Sequence, residues 1–384
     1  MEQQQIIFLT AEKTSNSVNQ ISSVLSLSEE GCTIPFISRY RKEKTGNLDE
    51  LAITKILKTY ESISNLEKRR DYINKYLEEQ NKLTPELKQK ILDAESLTEL
   101  EDLYLPFKPR KKTKADKAIE AGLLPLAEFI IATNSKDKVL TKANEFINET
   151  ILDSDSALQG AIDILTQKIS DKPEARKLIR TTLQKGNLNS SIKRGKKEEG
   201  DKFKDYFDFN ETIKKIPAHR IMAVLRGEQD GILNISITPE LEETTIYHHL
   251  SMLTFNKTNE FLLSSANESY KRHLLPSLTK EVIKLHKEKA ELESVNIFAK
   301  NLEKILLSAP FGEKAVIGIE PGVRTGCKVA VIDKNGAYKN FKTIYLHKNP
   351  EEINNLENWF KEYNIKGIAI GDGTFGRETY SICK

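Results

Sequence analysis

Apolar residues recur at helical spacing along most of the chain before Gly312, and this limits the fold more than any other feature. Residues spaced in this way lie on one face of an α-helix, which must be buried against other elements. The clearest examples are Leu51, Ile53, Ile56, Leu57 and Tyr60, then Leu66, Ile73, Tyr76 and Leu77. The sequence therefore predicts a mainly α-helical region, with one long helix from Ser277 to about Ser308.

After Gly312 the pattern changes to short, β-branched apolar runs with turn residues between them. The predicted strands cover residues 315–319, 328–332, 338–345 and 367–370, and the predicted helices cover 350–363 and a segment beginning at Phe375. This order opens an α/β fold of the ribonuclease-H-like kind. Such a sheet needs further strands and helices to bury both faces. Because the sequence ends at Lys384, we expect this domain to be incomplete.

Composition excludes some classes of protein and leaves others open. Lys and Arg total 59 against 56 Asp and Glu, so the net charge of +3 does not by itself indicate a polyanionic partner. The three cysteines form no CxxC pair, which gives no reason to expect a metal site or a disulfide framework. No apolar run approaches the roughly 18 residues of a membrane span, and no signal peptide is evident. We expect a cytoplasmic protein with no membrane partner and no cofactor.

Several stretches, taken in chain order, resemble motifs of the Tex family, whose members are bacterial RNA-binding transcription accessory proteins. They are 33–43 and 45–50 (TIPFISRYRKE, TGNLDE), 101–108 (EDLYLPFK), 205–209, 216–220 and 225–228 (DYFDF, IPAHR, LRGE), and 319–326 (IEPGVRTG). The last of these is similar to the start of the family's YqgF-like domain.

The resemblance implies a helical N-terminal region with helix-turn-helix character, followed by a YqgF-like domain with a ribonuclease-H-like fold. We accordingly predict a Tex-like N-terminal helical domain over 1–190, a helical middle region with a long connecting helix over 191–312, and a truncated YqgF-like domain over 313–384. Family members continue with helix-hairpin-helix elements and an OB-fold domain, the main RNA-binding element. The implied partners are RNA or DNA, and also the transcription machinery.

Two basic clusters are candidates for phosphate contact, because exposed cations release condensed counterions when they meet a nucleic-acid backbone. The first cluster consists of Lys108, Arg110, Lys111, Lys112 and Lys114, in a segment that Pro106 and Pro109 keep from being a continuous helix. Tyr104 and Phe107 beside it either stack on bases or pack in the core. The second cluster consists of Lys193, Arg194, Lys196 and Lys197, for which a solvated linker is the alternative.

Arg39, Arg41 and Lys42 follow an apolar run and leave two interpretations open. They project towards nucleic acid, or they pair with Glu43, Asp49 and Glu50 and so stabilise the helical bundle. Of these two, we favour the structural role.

Two acids in the C-terminal region suggest catalysis. Glu320 and Asp372 follow predicted strands, and ribonuclease-H-like nucleases bind Mg²⁺ with acids at such strand ends. However, Glu320 replaces the motif's usual Asp, and family members are generally regarded as lacking nuclease activity. Arg324, between Gly322 and Gly326, lies in a turn that either approaches phosphate or only joins two strands. We predict a non-enzymatic scaffold that binds nucleic acid, with a metal-dependent nuclease or resolvase using Glu320 and Asp372 as the alternative.

Overall fold

The computed structural model describes residues 3–308 and 311–384. Contacts between residues divide the chain into two compact units, Met1–Ser294 and Val295–Lys384. The predicted domain boundaries at residues 190 and 312 stay a prediction. Among the helices of the described residues, none is both long and apolar enough to cross a bilayer.

The chain up to the end of its longest helix is mainly helical, as predicted. Its helices are α1 (Gln3–Thr14), α2 (Val18–Glu29), α3 (Ile34–Tyr40), α4 (Lys42–Thr45), α5 (Glu50–Glu79), α6 (Pro85–Asp93), α7 (Leu97–Tyr104), α8 (Lys114–Glu120), α9 (Leu124–Ala132), α10 (Lys136–Asn144), α11 (Ser154–Ser170), α12 (Pro173–Lys185), α13 (Ala218–Gln229), α14 (Glu243–Phe255), α15 (Glu260–Glu268) and α16 (Leu275–Leu306).

Separate apolar cores hold these helices together. Ile21, Ile37 and Ile53 join α2, α3 and the start of α5, whereas the end of α5 packs with α6 and α7. There the buried guanidinium of Arg70 donates to the carbonyl oxygens of Ile91 and Ala94 at 3.0 and 2.7 Å. It thus satisfies carbonyls that the end of α6 leaves without an intrahelical partner.

A three-stranded antiparallel sheet, which the sequence analysis did not predict, interrupts the helices. Its strands are β1 (Asn187–Ile192), β2 (Asp208–Thr212) and β3 (Leu233–Thr238), in the order β2-β1-β3. Only one side of this sheet packs on the core, so Leu188 and Ile237 are buried while their neighbours are largely polar. Short strands with so few apolar residues give a weak sequence signal.

The long helix begins earlier than predicted, and Ser277 does not cap it. A turn of π-helix, Ser269–Leu274, runs directly into α16, and the Ser277 hydroxyl donates to the carbonyl of His273 at 2.8 Å. Within this turn the Leu275 N–H donates to the carbonyl of Tyr270. A π turn is wider than an α turn, and it accommodates Pro276 without a break in the helix.

In the C-terminal unit the predicted elements are present with small shifts at their ends. The strands are β4 (Val316–Glu320), β5 (Cys327–Ile332), β6 (Tyr338–Ile344) and β7 (Gly367–Ile370), and the helices are α17 (Glu357–Glu362), preceded by a 3₁₀ turn over Pro350–Leu356, and α18 (Gly376–Cys383). The sheet order is β6-β5-β4-β7, with β4 and β7 parallel and the other pairs antiparallel. This confirms the predicted α/β order.

A buried ionic network joins α7, α12 and α16. The Asp102 carboxylate, only 7% exposed, accepts from Arg176 Nε at 2.6 Å and from Arg180 Nη2 at 2.8 Å. Arg180 Nε also lies 2.5 Å from Glu281 Oε1. Burial alone would lower the pKa of Arg180, but the hydrogen bond to Glu281 and the charge of Asp102 raise it overall. The two arginines are four residues apart and so share one face of α12.

Replacing Asp102 with Asn should lower the free energy of unfolding by about 3–5 kcal/mol, because a buried cation pair loses a charge partner. Urea unfolding of the 384-residue chain measures this loss. Glu260→Gln is the matched control, since Glu260 forms an exposed pair with Lys136 at 3.0 Å and should cost less than about 1 kcal/mol. Equal losses in the two variants would contradict the importance of the network.

Candidate nucleic-acid interface

Four residues of the first cluster lie in an irregular segment that ends at Thr113, and the fifth, Lys114, is the first residue of α8; residues 108–114 are hereafter the basic loop. A 3₁₀ turn over Leu105–Phe107 precedes it. Thr113 caps α8 reciprocally: its Oγ1 accepts from the Asp116 N–H at 3.1 Å, and Asp116 Oδ2 accepts from the Thr113 N–H at 2.8 Å. The hydrogen bonds that the Thr113 N–H and hydroxyl donate to the Asp116 carboxylate lower the pKa of that carboxyl, and the cap fixes the start of α8.

Carboxylates of the protein neutralise part of the basic loop. Lys108 lies 2.5 Å from Glu101, Arg110 lies 3.3 Å from Asp171, and Lys112 lies 2.6 Å from Glu120. Hydrogen bonding to Glu120 raises the pKa of Lys112.

Lys111 and Lys114 are exposed, and no carboxylate of the described residues lies within 4.0 Å of either ammonium group. The basic loop thus has two free cations and three paired ones.

The two aromatic residues beside the basic loop belong to the core. Tyr104 is only 3% exposed and meets Tyr76 edge-on, with 5.6 Å between ring centroids. Phe107 is half-buried and packs against the same cluster. Stacking of bases on Tyr104, one of the two alternatives, is therefore wrong, because its ring is enclosed by protein.

The second cluster forms a tight loop between β1 and β2, residues 193–197, hereafter the second basic loop. Its backbone is fixed at both ends: the Lys193 N–H donates to the Ile232 carbonyl at 2.8 Å, and the Gly200 N–H donates to the Lys196 carbonyl at 3.0 Å. Lys196 pairs with Glu199 at 2.7 Å. The loop is therefore hydrogen-bonded to the sheet region, unlike a freely solvated linker.

The remaining cations of the second basic loop are free. For Lys193, Arg194 and Lys197, no ion pair or side-chain hydrogen bond exists within the described ranges 3–308 and 311–384. Nearby, Lys202 is bound to Asp230 at 2.8 Å.

The cations near the end of α3 follow the structural interpretation only in part. Arg39 lies 3.5 Å from Glu50, and both side chains are largely exposed. Arg41 instead places its guanidinium carbon 5.1 Å from the centroid of the Phe36 ring. Neither Arg41 nor Lys42 has a carboxylate partner in the part of the chain that the structure describes.

Glu320 and Asp372 lie at the ends of adjacent parallel strands, β4 and β7, where Ile319 is in register with Ile370. Glu320 is 71% exposed and its carboxylate pairs with Lys328 at 2.9 Å. Among the residues with described positions, no group of three or more His, Cys, Asp or Glu side chains is arranged to hold a metal ion. The strand ends thus bring the two acids to one edge of the sheet, with a lysine bound to one of them.

Arg324 lies in the turn between β4 and β5, and glycines close that turn. A Cβ on Gly322 would lie 2.5 Å from the Gly326 carbonyl oxygen, and Gly326 itself has φ +79°. Arg324 is exposed, and no carboxylate of the described chain lies within ion-pair distance. The turn therefore presents a free guanidinium, and contact of this group with phosphate stays a prediction.

Three family models match consecutive parts of the chain. Residues 4–78 match the Tex-like protein N-terminal domain, residues 134–298 match a model described as Tex central region-like, and residues 314–384 match the Tex protein YqgF-like domain. The last match covers all four strands of the C-terminal sheet.

Named relatives match almost the whole chain. The transcriptional accessory protein Tex of Neisseria gonorrhoeae is 36% identical over 382 residues, which is 97% of this chain and 50% of that protein. Protein tex of Bordetella pertussis is 36% identical over 396 residues, with the same coverage of 97% and 50%. The human S1 RNA-binding domain-containing protein 1 is 27% identical over 392 residues, or 97% of this chain and 39% of that protein. The chain thus spans about half the length of its bacterial relatives, and less of the human one.

The shape of the second basic loop requires glycine at position 200. A Cβ there would lie 2.6 Å from Ile232 Cγ2 and 2.9 Å from the Lys196 carbonyl oxygen. We expect Gly200→Ala to lower the free energy of unfolding by about 1–3 kcal/mol through overpacking. In urea unfolding, the exposed Ser191→Ala should stay within about 0.5 kcal/mol of the unmodified chain. An unchanged Gly200→Ala variant would show that the loop has room for a side chain.

Proposed function

Because the chain belongs to the Tex family, we propose that it binds nucleic acid, RNA in the first place, as a transcription accessory protein that breaks no covalent bond. The observation that carries this proposal is the set of exposed cations that no carboxylate of the described residues neutralises. They are Lys111 and Lys114 in the basic loop, Arg194 and Lys197 in the second basic loop, and Arg324; the half-buried Lys193 also has no carboxylate partner in the described ranges.

Free cations favour a polyanion for a specific physical reason. A cation that already holds a carboxylate must give it up before it meets a phosphate, whereas a free one gains the contact without that loss. The side chains of the paired residues Lys112 and Lys196 are 68% and 40% exposed, and pairs in contact with solvent contribute only about 0–1 kcal/mol. Phosphates can therefore recruit them too, once the free cations have brought a strand close.

The names of the relatives support the same proposal. One is called a transcriptional accessory protein and another an S1 RNA-binding domain-containing protein. Each name describes a protein at least about twice as long as this chain, so contact with the transcription machinery stays part of the proposal. The cytoplasmic location also stays a prediction.

A nuclease or resolvase is the less favoured function. The Glu320 carboxylate pairs with Lys328 at 2.9 Å, and among the described residues no group of three or more His, Cys, Asp or Glu side chains is arranged to hold a metal ion. Two-metal nucleases need carboxylates free to bind cations.

We expect binding that depends strongly on salt and weakly on sequence. For an RNA single strand, the slope of log K against log salt is about −0.7 per phosphate contact. Lys111→Gln with Lys114→Gln should therefore weaken binding and reduce the size of this slope by up to about 1.4. Fluorescence anisotropy with a labelled oligouridylate over a salt series measures both quantities.

Lys280→Gln with Lys289→Gln is the control, because these exposed lysines of α16 change the net charge equally. This control should leave the slope unchanged. A flat response to salt, or no binding at about 50 mM salt, would contradict the proposal.

We expect no cleavage when the protein is incubated with labelled RNA, DNA or branched DNA and Mg²⁺ or Mn²⁺. The reason is that Glu320 is paired with Lys328, and no group of three or more potential metal-ligating side chains exists among the described residues. Cleavage that disappears in both Glu320→Gln and Asp372→Asn, with both variants folded by circular dichroism, would instead establish the nuclease.

A further inference from the structure

Two aromatic rings and several cations lie together at the end of α3, outside the two basic loops. Ile37 and Ser38 are buried on the inner face of this helix. Phe36 and Tyr40, four residues apart, lie on its outer side with ring centroids 5.2 Å apart. Tyr40 is 67% exposed. We call Phe36, Tyr40 and Arg41 the aromatic corner.

The exposure of Tyr40 has no structural explanation within the protein. Its hydroxyl has no hydrogen-bond partner among residues 3–308 and 311–384, and its ring is tilted by 43° to the neighbouring Phe36 ring. An aromatic ring left in water loses the free energy that burial would give it. A ligand with a flat apolar face could restore that free energy.

Cations surround the aromatic corner. A cavity of about 640 Å³ is lined by residues 39–44, which comprise Arg39, Tyr40, Arg41, Lys42, Glu43 and Lys44. Arg41 donates to the Tyr40 carbonyl at 3.1 Å while its guanidinium lies over the Phe36 ring. Lys42 and Lys44 are exposed and have no carboxylate partner in the described chain. The cavity therefore combines the Tyr40 ring, which lies next to Phe36, with an excess of positive charge.

We propose that the aromatic corner stacks an unpaired base of a single-stranded nucleic acid, with Arg41, Lys42 and Lys44 binding the flanking phosphates. This inference rests on the proposed function and narrows its ligand to single strands. Every base has a π-face, so stacking of this kind tolerates any sequence. In a duplex the base faces are covered by neighbouring pairs, so a duplex offers no open face on which Tyr40 could stack.

Stacking and phosphate contact differ in their response to salt, and this separates the aromatic corner from the basic loops. Phosphate contacts release counterions and set the slope of log K against log salt. Stacking on Tyr40 releases none. Loss of the ring should therefore lower the affinity at every salt concentration and leave the slope as it was, whereas loss of Lys111 and Lys114 changes the slope.

The test uses the full 384-residue chain, a labelled oligouridylate and a duplex of the same length, over a salt series. Tyr40→Ala should weaken single-strand binding by about 5-fold to 150-fold with an unchanged salt slope, and should leave duplex binding within about twofold. Tyr40→Phe should bind the single strand like the unmodified chain, because the ring face is kept. Because Tyr40 is exposed, all variants should fold, which thermal melts followed by circular dichroism will verify.

Tyr72→Ala is the matched control. Tyr72 is 53% exposed on α5 and has an arginine, Arg69, 4.9 Å from its ring centroid. However, Arg69 is bound to Glu101 at 2.6 Å, so it brings no free cation. Tyr72→Ala should leave both affinities unchanged.

Three results would overturn the proposed stacking on the aromatic corner. Tyr40→Ala could bind the single strand as tightly as the unmodified chain does, or lose as much affinity for the duplex as for the single strand. The third is that oligoglutamate competes as strongly as oligouridylate of the same charge. In each case the salt dependence due to Lys111 and Lys114 would still support the proposed function. Absence of binding to either nucleic acid at low salt would instead remove the proposed function itself.

Discussion

The buried contact of Asp102 with Arg176 and Arg180 joins two helices, α7 and α12, that precede the charged loops of the first unit. Asp102 belongs to α7, whose end leads through one 3₁₀ turn into the basic loop. The two arginines belong to α12, which ends at Lys185 and is followed, after Gly186, by β1 and the second basic loop. One ionic network thus connects the two helices that precede the two loops. Since an unpaired buried charge is costly, the network has few alternative arrangements.

Whether a cation of these loops is paired or free depends on the carboxylates that neighbouring elements place beside it. Arg110 meets Asp171 at the end of α11, and Lys112 meets Glu120 within α8, whereas Lys111 between them points to solvent. Aromatic residues are divided in the same way. Tyr104 is enclosed beside the basic loop, and Tyr40 is left outside beside another group of cations. Exposure therefore decides which residues can meet a ligand, more than closeness in sequence does.

Local patterns in the sequence predicted much of the fold. Thr84 and Ser96 are residue types that favour helix starts, and they precede α6 and α7; each side-chain oxygen accepts a backbone N–H, from Leu87 and Glu99 respectively. The four strands of the C-terminal sheet also followed from apolar runs and turn residues. By contrast, the sheet β1–β3 escaped prediction, because strands of five or six residues with one polar face resemble loops.

The candidate site was less predictable, because ion pairs depend on distant parts of the chain. The run from Lys108 to Lys114 is visible in the sequence, but the partner of Arg110 is 61 residues away. The role of Tyr104 depended on whether its ring faced the core. The ring does face the core, where it contacts Tyr76 of α5. Tyr40 was overlooked for a related reason: the run IPFISRY looks like a buried helix, and only packing shows that its last ring lies outside.

The lysines bound to the protein's own carboxylates affect the number of phosphate contacts that a salt titration would report. When such a lysine turns from Glu120 or Glu199 to a phosphate, it leaves an anion behind, which attracts a cation from solution. That uptake offsets the ion released from the strand. A salt titration would then report only the residues that began without a partner, and the true number of protein–phosphate contacts would exceed the number read from the slope.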